Sequence, residues 1–155
     1  MAHQARREGR APTGGGLGGP LTGRVAVLTG AAGGLGSTTV QAEFTLRGQP
    51  RELPVEWEAN ILRIGQEVLT NVLRHARASE FKVLLVFDSE QIRLEMRDDG
   101  CGFDPRRRHE GFGLQGMRER AEGMGGQISI QSGEGKGTVI SFVLPLTAAS
   151  EPDGL

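Results

Sequence analysis

From residue 40 onward the chain switches between two hydrophobic periods, and the period separates strand from helix. "VQAEFTLRG", 40–48, alternates apolar and polar side chains and predicts a strand that stops at Gly48. "QPRELP" reads as a loop, and its Pro54 suits the first turn of a helix, where a missing N–H costs little. The helix predicted over 55–76 has Ile61, Leu62, Val68, Leu69, Val72, Leu73 and Ala76 for its buried side. "FKVLLVFD" and "QIRLEMRD" read as a hairpin joined at Ser89-Glu90. "DGCGFDPRRRHEGFG" has no apolar period and is a loop. "LQGMRERAEGMGG" predicts a short helix with a glycine stop. "QISIQS" and "TVISFVLPL" are two last strands split by "GEGKG". The order strand, helix, hairpin, loop, helix, hairpin predicts an α/β (α+β) two-layer sandwich, with a mostly antiparallel sheet and helices on one face.

Composition narrows this picture. The 155 residues suffice for one modest domain with tails. A net charge of -1 gives no overall pull toward nucleic acid. No apolar run approaches the roughly 18 residues of a membrane span, and the N-terminus lacks the apolar core of a secretory signal. A single cysteine, Cys101, excludes an intramolecular disulfide framework and suits a reducing cytoplasm. Eleven of the 25 glycines fall within residues 1–36, where little side chain is available for burial. We therefore expect three regions: a Gly-rich disordered leader at 1–37, a folded domain at 38–147 and a disordered tail at 148–155.

The leader carries a nucleotide-like signal of its own. A strand-like run, 24–28, enters Thr29-Gly30-Ala31-Ala32-Gly33-Gly34-Leu35-Gly36, which resembles the T-G-x-x-x-G-x-G opening of short-chain dehydrogenases. That resemblance implies a pyrophosphate at a helix N-terminus. The residues after Gly36 depart from it. The first acidic residue, Glu43, comes seven positions after Gly36, against a usual spacing of about 20. No room is left for the helix, and the chain has no tyrosine for that family's Tyr-x-x-x-Lys pair. A dinucleotide-binding module or an inert fused fragment stands as the alternative reading.

The stronger signal lies downstream. Arg63, Glu67, Asn71 and His75 recur at intervals of four and share one stripe of the predicted helix. Asp98-Asp99-Gly100-Cys101-Gly102 ends a strand as D-x-G-x-G; Gly111-Phe112-Gly113-Leu114 opens the second helix; Gly135-Lys136-Gly137-Thr138 precedes the last strand. Together they resemble the GHKL ATPase superfamily, specifically the ATP-binding catalytic domain of bacterial sensor histidine kinases, over residues 40–146. "QEVLTNVLRHARA" is similar to its N box, "DDGCGFD" to its first glycine box, "GFGLQGMRERA" to its second and "GKGT" to its last. "GLQGMRERA" is similar to the branch that signals to response regulators with helix-turn-helix outputs, more than to serine kinases of the anti-sigma type.

The resemblance implies a Bergerat-type ATP-binding fold and a division of labour. Asn71 would offer a carbonyl oxygen to Mg²⁺, a hard ion that prefers oxygen ligands. Glu67 would polarise the attacking group or a metal-bound water, and His75 would sit near the phosphates as a second catalytic residue. Asp98 would accept a hydrogen bond from the adenine amino group, with Thr138 beside it through a water. Gly100 and Gly102 would let the backbone pass under the base. Gly111, Gly113, Leu114, Gly116 and Met117 would bind near the phosphates at the second helix's N-terminus. Arg106, Arg107, Arg108 and His109 would belong to an ATP lid. Cys101 is expected to be a small spacer and Trp57 a packing residue. His3 is the only histidine before residue 40 and lies in no helical hairpin. The phosphoacceptor histidine is therefore expected on a dimerisation domain in another chain or a missing region. A response regulator is the further partner implied.

Overall fold

The computed structural model describes residues 21–31, 37–107 and 113–146. They form a six-stranded sheet with helices: β1 (Leu21–Ala31), β2 (Ser37–Arg47), α1 (Val55–Asn71), a π-helical turn (Val72–Ala76), β3 (Glu80–Phe87), β4 (Gln91–Asp98), α2 (Leu114–Gly123), β5 (Gln127–Ser132) and β6 (Thr138–Pro145). The strand order is β1-β2-β3-β4-β6-β5. All neighbours are antiparallel except β2 and β3, which run parallel. A parallel pair needs a long crossover, and α1 with its π turn supplies it. No helix among the described residues is long and apolar enough to cross a membrane.

Strand alternation builds the core. Ile92, Leu94 and Met96 of β4 face the helices together with Ile140, Phe142 and Leu144 of β6, while Arg93, Glu95 and Arg97 point to the other side. Ile64, Val68 and Val72 cover them from the first helix, Met117 and Ala121 from the second. Trp57 and Ile61 pack against this core at its margin.

Three expectations change. Leu62, assigned to the buried side, is 62% exposed, and Ile64, passed over, is fully buried. Trp57, Ile61, Ile64, Val68 and Val72 form one stripe at spacings of four, three, four and four. At about 100° per residue, Leu62 lies roughly a third of a turn away from it. Second, the helix does not run uniformly to residue 76, because its last five residues widen into the π turn. Third, 21–31 is not a free leader. Its backbone forms edge strand β1, antiparallel to β2, with Val27 opposite Gln41 and Leu28 opposite Val40. Residues 1–20 and 147–155 lie outside the described residues, as do 32–36.

The antiparallel β1–β2 pairing also disposes of the dinucleotide topology. That unit needs a helical crossover to a parallel strand, and only five residues, 32–36, separate these two antiparallel strands.

Candidate functional site

The π turn shapes the site. Arg77, the only non-glycine with positive φ among the described residues, ends the turn in the left-handed region at φ 51°. The loop after β4 satisfies the carbonyls left open at the turn's end. The Cys101 N–H donates to the Ala76 carbonyl at 2.7 Å, and the Cys101 thiol donates to the His75 carbonyl at 3.3 Å. Asp99 closes the same corner from outside. Its carboxylate accepts from the Ser79 N–H at 2.8 Å, the Glu80 N–H at 2.9 Å and the Ser79 hydroxyl. The Ser79 hydroxyl, above all, holds its pKa below the usual carboxylate range.

Between this corner and the sheet lies an open cleft. Val68, Asn71, Val72, His75 and Ala76 line it from the helix. Asp98, Cys101, Gly102 and Phe103 line it from the end of β4, Leu114 from α2, and Thr138 and Ile140 from β6. Four separate stretches of sequence thus meet at one cavity, with apolar walls and few polar groups.

Asp98 is the buried charge of this cleft, 7% exposed. Burial pushes its pKa up and the neighbouring Asp99 charge adds to that, while backbone N–H groups of Gly100 and Thr138 oppose both. Asp98 accepts the Gly100 N–H at 2.8 Å. Opposite it across the β4–β6 ladder stands Thr138, also buried.

Two glycines are required here by close packing. A Cβ on Gly100 would lie 2.2 Å from the Ala76 carbonyl oxygen, and one on Gly102, at φ +61°, 2.0 Å from that of Gly133. Gly113 caps α2 in the left-handed conformation at φ 64°. A Cβ on it would strike the Glu67 carboxylate at 2.2 Å, so Glu67 sits directly beside the N-terminus of α2. Neither Glu67 nor Gly116 lines the cleft itself, and at Gly116 a Cβ would meet only the flexible end of Arg120.

One assignment is corrected. Met117 was expected to contact the ligand, but it is 0% exposed and belongs to the core beneath α2. On a short helix lying on a sheet, its position three residues after Leu114 faces inward. Gly111, Arg108 and His109 lie outside the described residues. Of the arginines expected in a lid, Arg106 grips Asp104 through two bonds, at 3.0 and 3.1 Å, and holds that carboxyl down to about 2.

Sequence reasoning missed Ser132. Its hydroxyl accepts the Phe103 N–H at 2.9 Å and meets the Gly137 carbonyl at 3.1 Å and the Thr138 hydroxyl at 2.8 Å. It ties the loop after β4 to the β5–β6 turn. A serine near the end of a strand carries no pattern that announces this.

Residues 58–148 match the family model described as histidine kinase-, DNA gyrase B-, and HSP90-like ATPase. The chain is 41% identical over 90 residues to the sensor histidine kinase LiaS of Bacillus subtilis, covering 57% of this chain and 25% of LiaS. It is 33% identical over 111 residues to the histidine-protein kinase/phosphatase DegS of Brevibacillus brevis, covering 71% of this chain and 29% of DegS. The chain therefore spans about a quarter to a third of the length of these curated relatives. Among solved structures, the histidine kinase domain of the Erythrobacter litoralis EL346 blue-light activated kinase superposes with TM-score 0.55 at 26% identity, covering 73% of this chain and 57% of that domain.

Proposed function

The chain belongs to the histidine kinase-, DNA gyrase B- and HSP90-like ATPase family, and we propose that it binds ATP with Mg²⁺ as the catalytic domain of a sensor histidine kinase. The γ-phosphoryl group passes to a histidine on a separate helical dimerisation domain, and from there to a response regulator. The unit that does this spans 38–147 and works in the cytoplasm. One observation carries the reading: a buried carboxylate, Asp98, at the floor of an apolar cleft that also meets Asn71 and the first residue of α2.

Each residue then has a task. Asp98 accepts a hydrogen bond from the adenine amino group, and Val68, Leu114 and Ile140 supply apolar contact to the base. The triphosphate runs toward the N-terminus of α2, where the N-cap is Gly113 and makes no side-chain cap bond. Glu67, beside Gly113, polarises the attacking histidine. Its nitrogen forms the new bond to the γ-phosphorus as the bond to the ADP oxygen breaks. His75 lies at the mouth beside the phosphates.

The donor set fits Mg²⁺. Asn71 lines the cleft with an amide oxygen, and no group of three His, Cys, Asp or Glu converges among the described residues. That suits an ion held mostly by phosphate and water. When bound, Mg²⁺ neutralises phosphate charge.

Titration calorimetry tests the reading with ATP–Mg²⁺ and, separately, NADH and NADPH. Heat with ATP alone is the expected result. Binding of a nicotinamide nucleotide without ATP binding would overturn it. Transfer of labelled γ-phosphate to the dimerisation domain of such a kinase tests the second half.

A further inference from the structure

Gly116 is the third residue of α2 and does not line the cleft. Glycine inside a helix costs about 1 kcal/mol against alanine, so its place there needs a reason. The space it leaves is taken by Arg120, one turn later. Nη1 of Arg120 lies 3.1 Å from the point that a Gly116 Cβ would occupy.

The guanidinium is thus drawn back along the helix. Arg120 sits in the last turn of α2, where a cation is favoured, yet its charge lies over the third residue, where the helix dipole disfavours it. No carboxylate compensates. Glu119 is engaged by Gln115 at 2.9 Å, and among the described residues no ion pair includes Arg120. Arg120 is half-buried, while Arg118 is exposed.

Gly113, Gly116 and Arg120 follow at spacings of three and four, so they share one face of α2. The Glu67 carboxylate lies against that face at Gly113. Gly113 and Gly116 are about 4.5 Å apart along the helix axis. An anion and a cation therefore stand less than one turn apart, without bonding each other, at the end of α2 toward which the triphosphate runs. A guanidinium offers a planar fork of N–H donors that matches phosphate oxygens.

We propose that Arg120 is a binding residue for the terminal phosphoryl group of the nucleotide: lying in the groove left by Gly116, beside Glu67, it holds a positive charge for the third phosphate and so separates a triphosphate from a diphosphate. The inference rests on the nucleotide-binding reading above and deepens it. Gly116 serves it by leaving the guanidinium room.

The test compares ATP with ADP. Affinities of the full chain for both are measured by calorimetry with Mg²⁺, before and after Arg120→Met, which keeps an apolar stem and removes the charge. ATP affinity should fall about tenfold, the loss of one charge-assisted hydrogen bond, with ADP affinity within about twofold of the parent. Arg120→Lys retains a positive charge and should recover part of the difference. Gly116→Ala is the second variant, and it serves if Arg120→Met fails to fold. It adds a better helix former, so the thermal midpoint should not fall. Its Cβ displaces the guanidinium, so ATP should lose severalfold against ADP. ATP and ADP affinities that fall together, or an ATP/ADP ratio unchanged in the folded variants, would make Arg120 a packing residue and overturn the inference. A wild-type chain that binds neither nucleotide would instead overturn the reading beneath it.

Discussion

Two glycine-rich stretches look alike as text and differ as structure. Residues 29–36 have the spacing of a dinucleotide turn, and residues 98–102 have that of an ATPase box. The first joins two antiparallel strands at the sheet's edge. The second is packed against a π turn on one side and the Gly133–Gly137 turn on the other. Glycine spacing thus says only that backbone can come close to something. The neighbours decide whether that something is a ligand, and the second stretch has a buried carboxylate and a cleft beside it.

Substitutions at the two stretches should break the likeness most sharply. Gly102→Ala forces a side chain into the Gly133 carbonyl at positive φ. We expect a loss of about 3 kcal/mol of stability, seen as a thermal midpoint lower by more than about 10 °C, with nucleotide binding lost. Gly30→Ala in the other stretch, on the edge strand opposite Thr38, should change the midpoint by no more than about 2–4 °C, the effect of about 0.5 kcal/mol. Equal effects at the two sites would mean that the edge hairpin is as tightly packed as the cleft.

Asp98→Asn acts next in size. An amide can turn a donor toward the adenine amine, so ATP affinity should fall by about 1.5–3 kcal/mol. Stability should move the other way. The Asp98 pKa is raised in the fold, chiefly by burial. Its stabilising share is therefore full below the unfolded value of 3.8 and is lost as pH rises through the folded value. Without nucleotide near neutral pH, the asparagine variant should be at least as stable as the parent, by denaturant titration. A clear loss of apo stability would assign Asp98 to the scaffold.

Asn71→Ala sharpens the comparison on the cleft side by about 1 kcal/mol. ATP titrations in Mg²⁺ and in EDTA should diverge for the parent and converge for the variant. An untouched Mg²⁺ dependence would remove Asn71 from the metal. The smallest effect is expected from a chain starting at Thr38, which loses β1 but keeps every cleft residue. Its ATP affinity should stay within about 0.5 kcal/mol of the full chain. In the full chain, slow amide exchange at Val27 should report the edge pairing. ATP binding lost on truncation would make β1 part of the functional unit.

Local pattern was enough for much of this. The two hairpins, both helices and the cleft positions of Asn71, Asp98 and Thr138 were legible, because period and motif spacing depend on neighbours along the chain. The errors share a cause. Leu62 and Ile64 were exchanged because several faces of a helix can be apolar, and which one is buried depends on what it packs against. Met117 sits inside a motif yet faces the core, since a motif lists residues without their directions.

The sequence by itself determined the family, the two-layer order of elements and the chemical types that meet at the site, since each follows from residue identity and short-range spacing. Only the tertiary structure decided the rest. It widened the helix end at Val72–Ala76 so that its carbonyls meet Cys101, used Asp99 as a clamp on Ser79, and set Ser132 against Thr138. Those contacts join strands and loops distant along the chain. Hydrogen-bond direction and burial belong to the assembled neighbourhood, and no one-dimensional pattern carries them.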